Sequence, residues 1–432
     1  MIKRIVVENG AYSCRNMGDV AMLQVVVDRL TALWPQATIK VLTTNPNQLL
    51  RFCPSVVPVV VDFESRRAWL SGISVLGRFR QKLPAKLSSS LEMLEEQFWL
   101  RFPGANDLCI NLRARALGKP LPAPPARYRN LLIEADLVAI CGGGFINDCF
   151  KESACDLLDE LKAVLHAGVP VVAFGQGIGP ITDPALEAKA RAVLPHLKTI
   201  GLREGRSSLP LLESLGVPRD RIHVTGDDAI EPAMLRRPSS LGNAIGVNLR
   251  LADYAGTDET TADKLREPLR RAAQALNSSL IPVLISFHNV FHNKIDSDRE
   301  AVGRLLDDGN QGSHAVTESP DDVIGVIGKC RVVVTGSYHG AVFALAQGIP
   351  VVGLWQSEYY EQKFTGLQQQ FPGGCLLIDL KLPSASAEIE DAIHEAWESA
   401  ERVRESLIEA AVRQVELGRA LYQAAHALIS LE

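Results

Sequence analysis

Short β-branched runs alternate with longer amphipathic stretches along most of this 432-residue chain. A run that is apolar throughout belongs to a strand buried on both faces, and such strands joined by crossover helices make a parallel sheet. The spacing predicts strands at Arg4–Val7, Thr38–Leu42, Val56–Val61, Leu137–Cys141, Val169–Phe174, Thr199–Leu202 and Ile222–Val224. A second series follows at Ala244–Leu249, Ile281–Phe287, His314–Thr317, Arg331–Thr335, Pro350–Leu354 and Cys375–Ile378. Helices fall between them, for example Asp19–Leu33 and Ser153–His166, the latter stopped by Gly168 and Pro170.

The expected fold class is therefore α/β, with two Rossmann-like domains whose parallel sheets face a central cleft. The polar stretch 236–243 reads as the linker. The expected units are 1–235, with an inserted basic segment at 62–130, then 241–385, then a long Ala- and Glu-rich helix over 386–432. That helix is expected to cross back over the junction, a free or dimerising helix being the alternative. Open sheets of this kind bind ligands beyond the carboxyl ends of their strands.

Charge and composition exclude several classes. The formal net charge of −5 argues against general nucleic-acid binding. Between residues 66 and 130, however, twelve basic side chains face four acidic ones, leaving 33 against 46 elsewhere. Trp69, Leu70, Ile73, Val75 and Leu76 beside Arg66, Arg67, Arg78 and Arg80 read as a basic amphipathic helix. Over 66–86 it would make peripheral contact with an anionic membrane, or act as a solvated lid or dimer contact. The start MIKRIVVENG is not a secretion signal, and no apolar run is long enough for a membrane span, so a cytoplasmic protein is expected. The eight cysteines show neither C-x-x-C nor zinc spacing, so reduced thiols and no metal are expected.

Four loops placed after strands carry the candidate chemistry. Asn16-Met17-Gly18-Asp19 opens a helix that Asp19 could cap. Cys141-Gly142-Gly143-Gly144-Phe145-Ile146-Asn147-Asp148 and Gly175-Gln176-Gly177-Ile178-Gly179-Pro180 are glycine runs, read as tight turns or as places where a ligand approaches the backbone. Neither is a dinucleotide fingerprint, so a nicotinamide cofactor is set aside. Thr335-Gly336-Ser337-Tyr338-His339-Gly340 places His339 in the first turn of a helix, where an anion is favoured and imidazolium is not. Further polar residues sit at strand ends: Arg203 and Glu204, Asp227 and Asp228, Asn248 and Arg250, His288, and Glu358, Tyr359, Tyr360 and Lys363. Each is a ligand or a surface ion pair; arginines from both halves would clamp a carboxylate or phosphate.

Taken in order, N-x-G-D, GGGFIND, GQGIGP, LREGRS, GDDA, GVNLR, ISFH and GSYHGAVFALAQGIPVV…YY..KF resemble the polysaccharide pyruvyl transferase family over nearly the whole chain except the 62–130 insertion and the C-terminal helix. The resemblance implies a GT-B-like fold and a transferase with no bound cofactor that uses phosphoenolpyruvate as co-substrate. Its three-carbon unit would pass as a ketal to a sugar of a cell-surface polysaccharide or a lipid-linked precursor. It further implies His339 and Arg203 as catalytic residues. Arg250, Asn248, His288, Ser337, Gly336 and Lys363 would be donor-binding. Asn16, Gly18, Asp19, Gly143, Gly144, Asn147, Gln176 and Gly177 would face the acceptor. Family members typically carry arginine where this chain has Ser337. Two other readings stand beside it: a GT-B glycosyltransferase using a nucleotide sugar, and a non-catalytic sugar-binding protein. The oligomeric state is left open.

Overall fold

The structure is a computed structural model. It describes residues 2–63, 66, 83–84, 87, 91, 94–95, 98, 101–116, 118, 125–251, 255–257, 259–287, 289–291, 294–296, 298–306 and 318–430. The first half is an eight-stranded parallel sheet built from β1 (Arg4–Glu8), β2 (Thr38–Thr43), β3 (Val57–Val60), β4 (Leu137–Ile140), β5 (Gly143–Ile146), β6 (Val171–Ile178), β7 (Thr199–Leu202) and β8 (Ile222–Val224). Its order is β3-β2-β1-β4-β6-β7-β8, with β5 beside β6. The sequence therefore reverses direction across the sheet at β1 and β4, which leaves a crevice at their carboxyl ends.

The second half is a five-stranded parallel sheet of β9 (Ala244–Asn248), β10 (Ser279–Pro282), β13 (Cys330–Thr335), β14 (Val351–Trp355) and β15 (Cys375–Asp379), ordered β10-β9-β13-β14-β15. Between them in sequence, β11 (Asn289–Phe291) and β12 (Lys294–Asp296) form an antiparallel pair. The chain is α/β, as its apolar alternation requires.

Five helices position the site: α1 (Met17–Leu33), α2 (Lys151–His166), α3 (Ile230–Leu235), α4 (Tyr338–Ala346) and α5 (Glu358–Gln370). A sixth, α6 (Ala385–Ser430), is about 70 Å long at 1.5 Å per residue. Its first turns bury Ile389, Ile393 and Ala396 against the second sheet. Its later turns bury Leu407, Leu421 and Tyr422 in an apolar cluster that includes Ile5, Val7 and Phe174 of the first sheet. That cluster also takes in Phe343 and Phe364 of the second half, so one core runs through the junction.

Several expected elements differ. The apolar run Ile281–Phe287 is a strand only to Pro282. Beyond it the chain leaves the sheet to join the first half: Met17 N donates to Ile285 O at 2.8 Å and Phe287 N to Arg15 O at 2.9 Å. Tertiary pairing overrides strand propensity there. The predicted strand His314–Thr317 lies outside the described residues. Both glycine runs enter the sheet: Gly143–Ile146 is β5 and Gly175 to Ile178 completes β6, although Gly175 (φ 55°) sits at a break in register and Gly179 (φ 98°) turns the chain out of the strand. Asn16, not Asp19, caps α1, its Oδ1 accepting from Gly18 N and Asp19 N. In the basic segment, Arg66 is buried and paired with Glu160 on α2, so it does not belong to an exposed amphipathic face. Most other residues of 66–86 lie outside the described residues. No described helix is long and apolar enough to cross a membrane.

Candidate active site

A cavity of about 610 Å³ opens between the two halves. Its wall from the first half includes Asn16, Asp19, Gly143, Gly144 and Arg203, and its wall from the second includes Arg250, Ser337, His339 and Lys363. Nine of the predicted residues therefore meet at one place although they come from six separate segments.

His339 is the centre of the arrangement. Its ring is buried, with Nε2 3.7 Å from Asp227 Oδ2 and Nδ1 4.0 Å from Asp19 Oδ1. Neither His339 Nε2 nor Asp227 Oδ2 has a hydrogen-bond partner among the described residues. Two orphaned polar atoms facing each other form a site where a proton can be shared. Burial, then Arg203, Lys363 and Arg250, hold the imidazole well below its ordinary value, so it is neutral near pH 7. The two carboxyls move the other way: burial pushes Asp19 and Asp227 each up to about 6, against the cations nearby. Gly18 makes this packing possible, because a Cβ there would stand 2.0 Å from His339 Cγ.

Three cations surround the imidazole. The Arg203 guanidinium lies 4.2 Å from the ring centroid of Tyr338 and 3.8 Å from Asp227. The glycine runs leave room for it: a Cβ on Gly144 would meet its Nη2 at 2.3 Å, and one on Gly177 its Nε at 2.5 Å. Those glycines are thus explained by a side chain of the protein, although Gly143 and Gly144 also line the cavity. Arg250 is aimed by Asp298, at 3.1 Å. Lys363 Nζ sits 3.8 Å from the centroid of Tyr359, with Tyr360 and Tyr338 at 5.3 and 5.7 Å. Burial and Arg203 pull the Lys363 ammonium well below its usual value. Tyr359 in turn donates its hydroxyl to Gly144 O at 2.5 Å, tying α5 to the first half. The N-cap of α4, Ser337, makes no side-chain capping bond, so the positive end of that helix adds to the same field.

Six predicted residues support the cavity without lining it. Asn248 is wholly buried, its amide donating to Val283 O and Asp298. Asn147 donates to Gly144 O and accepts from Phe150 N. Gln176 donates to Cys141 O and Phe174 O. Gly18 and Gly177 make room for His339 and Arg203, and Gly336 packs against the Arg250 backbone. His288 lies outside the described residues.

Conversely, the structure brings in residues that sequence reasoning did not select. Asp227 was visible only as one of many strand-end polar residues. The tyrosines around Lys363 carry a usable signal, since Tyr359 and Lys363 are four apart on one helix face. Glu8, Asn9, Tyr12 and Phe63 gave none.

Among the described residues no group of three His, Cys, Asp or Glu is placed to hold a metal ion. The arrangement can bind a small molecule with two anionic groups, move one proton at His339, and accept another at a carboxyl of raised pKa.

Comparison with known proteins bears on the family and on the fold. The sequence model of the family polysaccharide pyruvyl transferase matches residues 16–358. No curated protein matches the chain in sequence. Among solved structures, UDP-GlcNAc 2-epimerase from Neisseria meningitidis bound to UDP-GlcNAc is 12% identical, with TM-score 0.56 and 98% of each chain covered. S. aureus MnaA in its UDP co-structure is 13% identical, with TM-score 0.53, 100% of this chain and 98% of that one. Anabaena Alr3699/HepE in complex with UDP and glucose is 13% identical, with TM-score 0.53 and coverage of 98% and 99%. Such neighbours are GT-B enzymes, and at these identities the likeness shows the fold alone.

Proposed function

The chain belongs to the polysaccharide pyruvyl transferase family, and from that premise we propose that it transfers the three-carbon unit of phosphoenolpyruvate, as a pyruvyl ketal, to a sugar of a cell-surface polysaccharide or its lipid-linked precursor. The observation that carries the proposal is the meeting of Arg203, Arg250 and Lys363 around a neutral imidazole flanked by two carboxyls.

The donor's carboxylate and phosphate would be held by the three cations, Lys363 and Arg250 taking the place of the arginine that Ser337 lacks. Burial keeps His339 neutral with the help of the three cations; an anion bound there offsets the cations' part and adds its own attraction, so the imidazole takes up a proton when the donor arrives. Imidazolium, stabilised by Asp227 and Asp19, then protonates the methylene carbon. The former alkene carbon gains oxocarbenium character, and a sugar hydroxyl adds to it while Asp19, with its pKa near 6, accepts the hydroxyl proton. The C–O bond to phosphate breaks, the phosphate leaves with one proton, and the second hydroxyl closes the ketal. Two hydroxyl protons are lost overall; one ends on the new methyl group and one on phosphate.

The test is a pair of measurements. Phosphoenolpyruvate at about 100 times its dissociation constant stabilises the fold by about 2.7 kcal/mol, a thermal shift that UDP and UDP-sugars should not reproduce. Labelled phosphoenolpyruvate with nitrophenyl glycosides should then release phosphate, and His339→Ala should abolish release while keeping the shift. Stabilisation by UDP with phosphoenolpyruvate inert would replace this reading with a nucleotide-sugar enzyme. Sugar binding with neither donor effective would replace it with a non-catalytic sugar-binding protein.

A further inference from the structure

The cavity is chemically two-sided. Arg203, Arg250 and Lys363 lie beside His339, but the wall contributed by the end of β1 and the start of the 62–130 insertion is of another kind. There Tyr12 and Phe63 meet edge to face, ring centroids 5.5 Å apart. Glu8 and Asn9 are only 2% and 4% exposed, and Glu8 Oε2 and Asn9 Oδ1 have no hydrogen-bond partner among the described residues. Both orphaned atoms are acceptors. A buried acceptor without a donor is costly to keep, and a carboxylate repels phosphate. The occupant that satisfies this wall is therefore rich in hydroxyl donors and has an apolar face for the rings, which is the chemistry of a pyranose.

The wall is also held in place by the insertion. Arg66 pairs through two nitrogens with Glu160 of α2, and its Nη1 donates to Tyr12 Oη at 2.8 Å. Arg66 and Glu160 are both buried, so Arg66 ties the Tyr12 hydroxyl to α2 and helps set the position of the ring that Phe63 meets.

We propose that Glu8, Asn9, Tyr12 and Phe63 form the acceptor-sugar subsite, with Arg66 holding Tyr12 in place. The inference rests on reading the chain as a sugar-modifying transferase, but it concerns this wall and not the donor.

The experiment measures binding of a panel of p-nitrophenyl hexosides (galactoside, glucoside, mannoside and N-acetylglucosaminide) by saturation-transfer NMR and calorimetry, alongside the thermal shift given by phosphoenolpyruvate. At least one glycoside should bind the unaltered protein. Its affinity should fall tenfold or more in Phe63→Ala and in Glu8→Gln and be retained in Phe63→Tyr, while the phosphoenolpyruvate shift stays unchanged in all three. Phe63 is 43% exposed, so its truncation should leave the fold intact, and circular dichroism checks this. The subsite is overturned if no glycoside of the panel binds, or if one binds equally to Phe63→Ala and Glu8→Gln. Loss of the phosphoenolpyruvate response in the unaltered protein, with glycoside binding still sensitive to Phe63, overturns the donor assignment and leaves the subsite standing.

Discussion

Replacing Gly18 by alanine tests the catalytic geometry most directly. Gly18 lies in the first turn of α1, where alanine is the better helix former by about 1 kcal/mol. Its new Cβ, however, would stand 2.0 Å from Cγ and 2.2 Å from Nδ1 of His339. Reaching an ordinary contact near 3.4 Å requires about 1.4 Å of movement, and the rigid neighbour is α1 itself. The imidazole must then leave the position from which it faces Asp19 and Asp227 at 4.0 and 3.7 Å. Overpacking costs about 1–3 kcal/mol, so after the helix-propensity gain the net loss of stability should be about 0–2 kcal/mol. A displacement of that size at a reacting group costs on the order of 10²-fold in rate. The expected result is therefore a folded protein with a urea midpoint close to that of the parent, about a hundredfold slower phosphate release, and shifted His339 ring resonances. If the variant released phosphate within about twofold of the parent rate and the ring resonances did not move, the imidazole would not be the group whose placement matters.

Other outcomes follow from the same structure. Arg66→Ala leaves Glu160 buried without its cation and should cost roughly 3–5 kcal/mol in urea denaturation. Because burial raises the Glu160 carboxyl above its unfolded value, its favourable contribution is complete below that unfolded value and is lost as pH rises through the folded one. The penalty should therefore be larger at pH 8 than at pH 5.5, and an equal penalty at both would refute the assignment. Tyr422→Phe removes the 2.8 Å hydrogen bond from α6 to Asp228 but keeps the stack on Phe174 at 3.7 Å; a loss of about 1–3 kcal/mol is expected, and no measurable loss would mean that α6 does not tie down the loop carrying Asp227. Phosphoenolpyruvate binding should take up protons at pH 8, since Lys363 and His339 are both held below their ordinary values until an anion arrives, and affinity should weaken as pH rises. Calorimetry in buffers of different ionisation enthalpy reads the sign, and proton release would contradict the proposed field around the imidazole.

The alternation that defines the two sheets was legible because their central strands are buried on both faces and so read as unbroken apolar runs. Where the reading failed, a distant partner decided the outcome. Ile285, Ser286 and Phe287 satisfy strand composition, yet their backbone groups go to Arg15, Met17 and Asp298. The glycine runs announced that something approaches the backbone, but not that it is the guanidinium of Arg203. Asn16 and Asp19 are both good helix caps three residues apart, and local pattern gives no reason to choose the first.

The candidate site shows the same division more sharply. Polar residues at the carboxyl ends of strands were singled out because core packing does not call for them there, and that rule leads to the end of the sheet where the cavity opens. It does not distinguish a side chain that faces the cleft from one that holds the cleft's walls. Asn248, Asn147 and Gln176 are of the second kind: each is at most 1% exposed, and each donates its amide to backbone carbonyls of the loops that carry the lining residues. Their loss would leave buried carbonyls unpaired and lower stability before it altered ligand affinity. Arg203, Arg250 and Lys363 also bury their cationic heads, but they do so around a cavity, Arg203 and Lys363 against tyrosine rings and Arg250 beside Asp298. Cations kept out of water in that way are costly to a free protein unless a bound anion completes the site. The cations that line the cavity differ in this from the buried amides beneath them, whose donors go to backbone carbonyls.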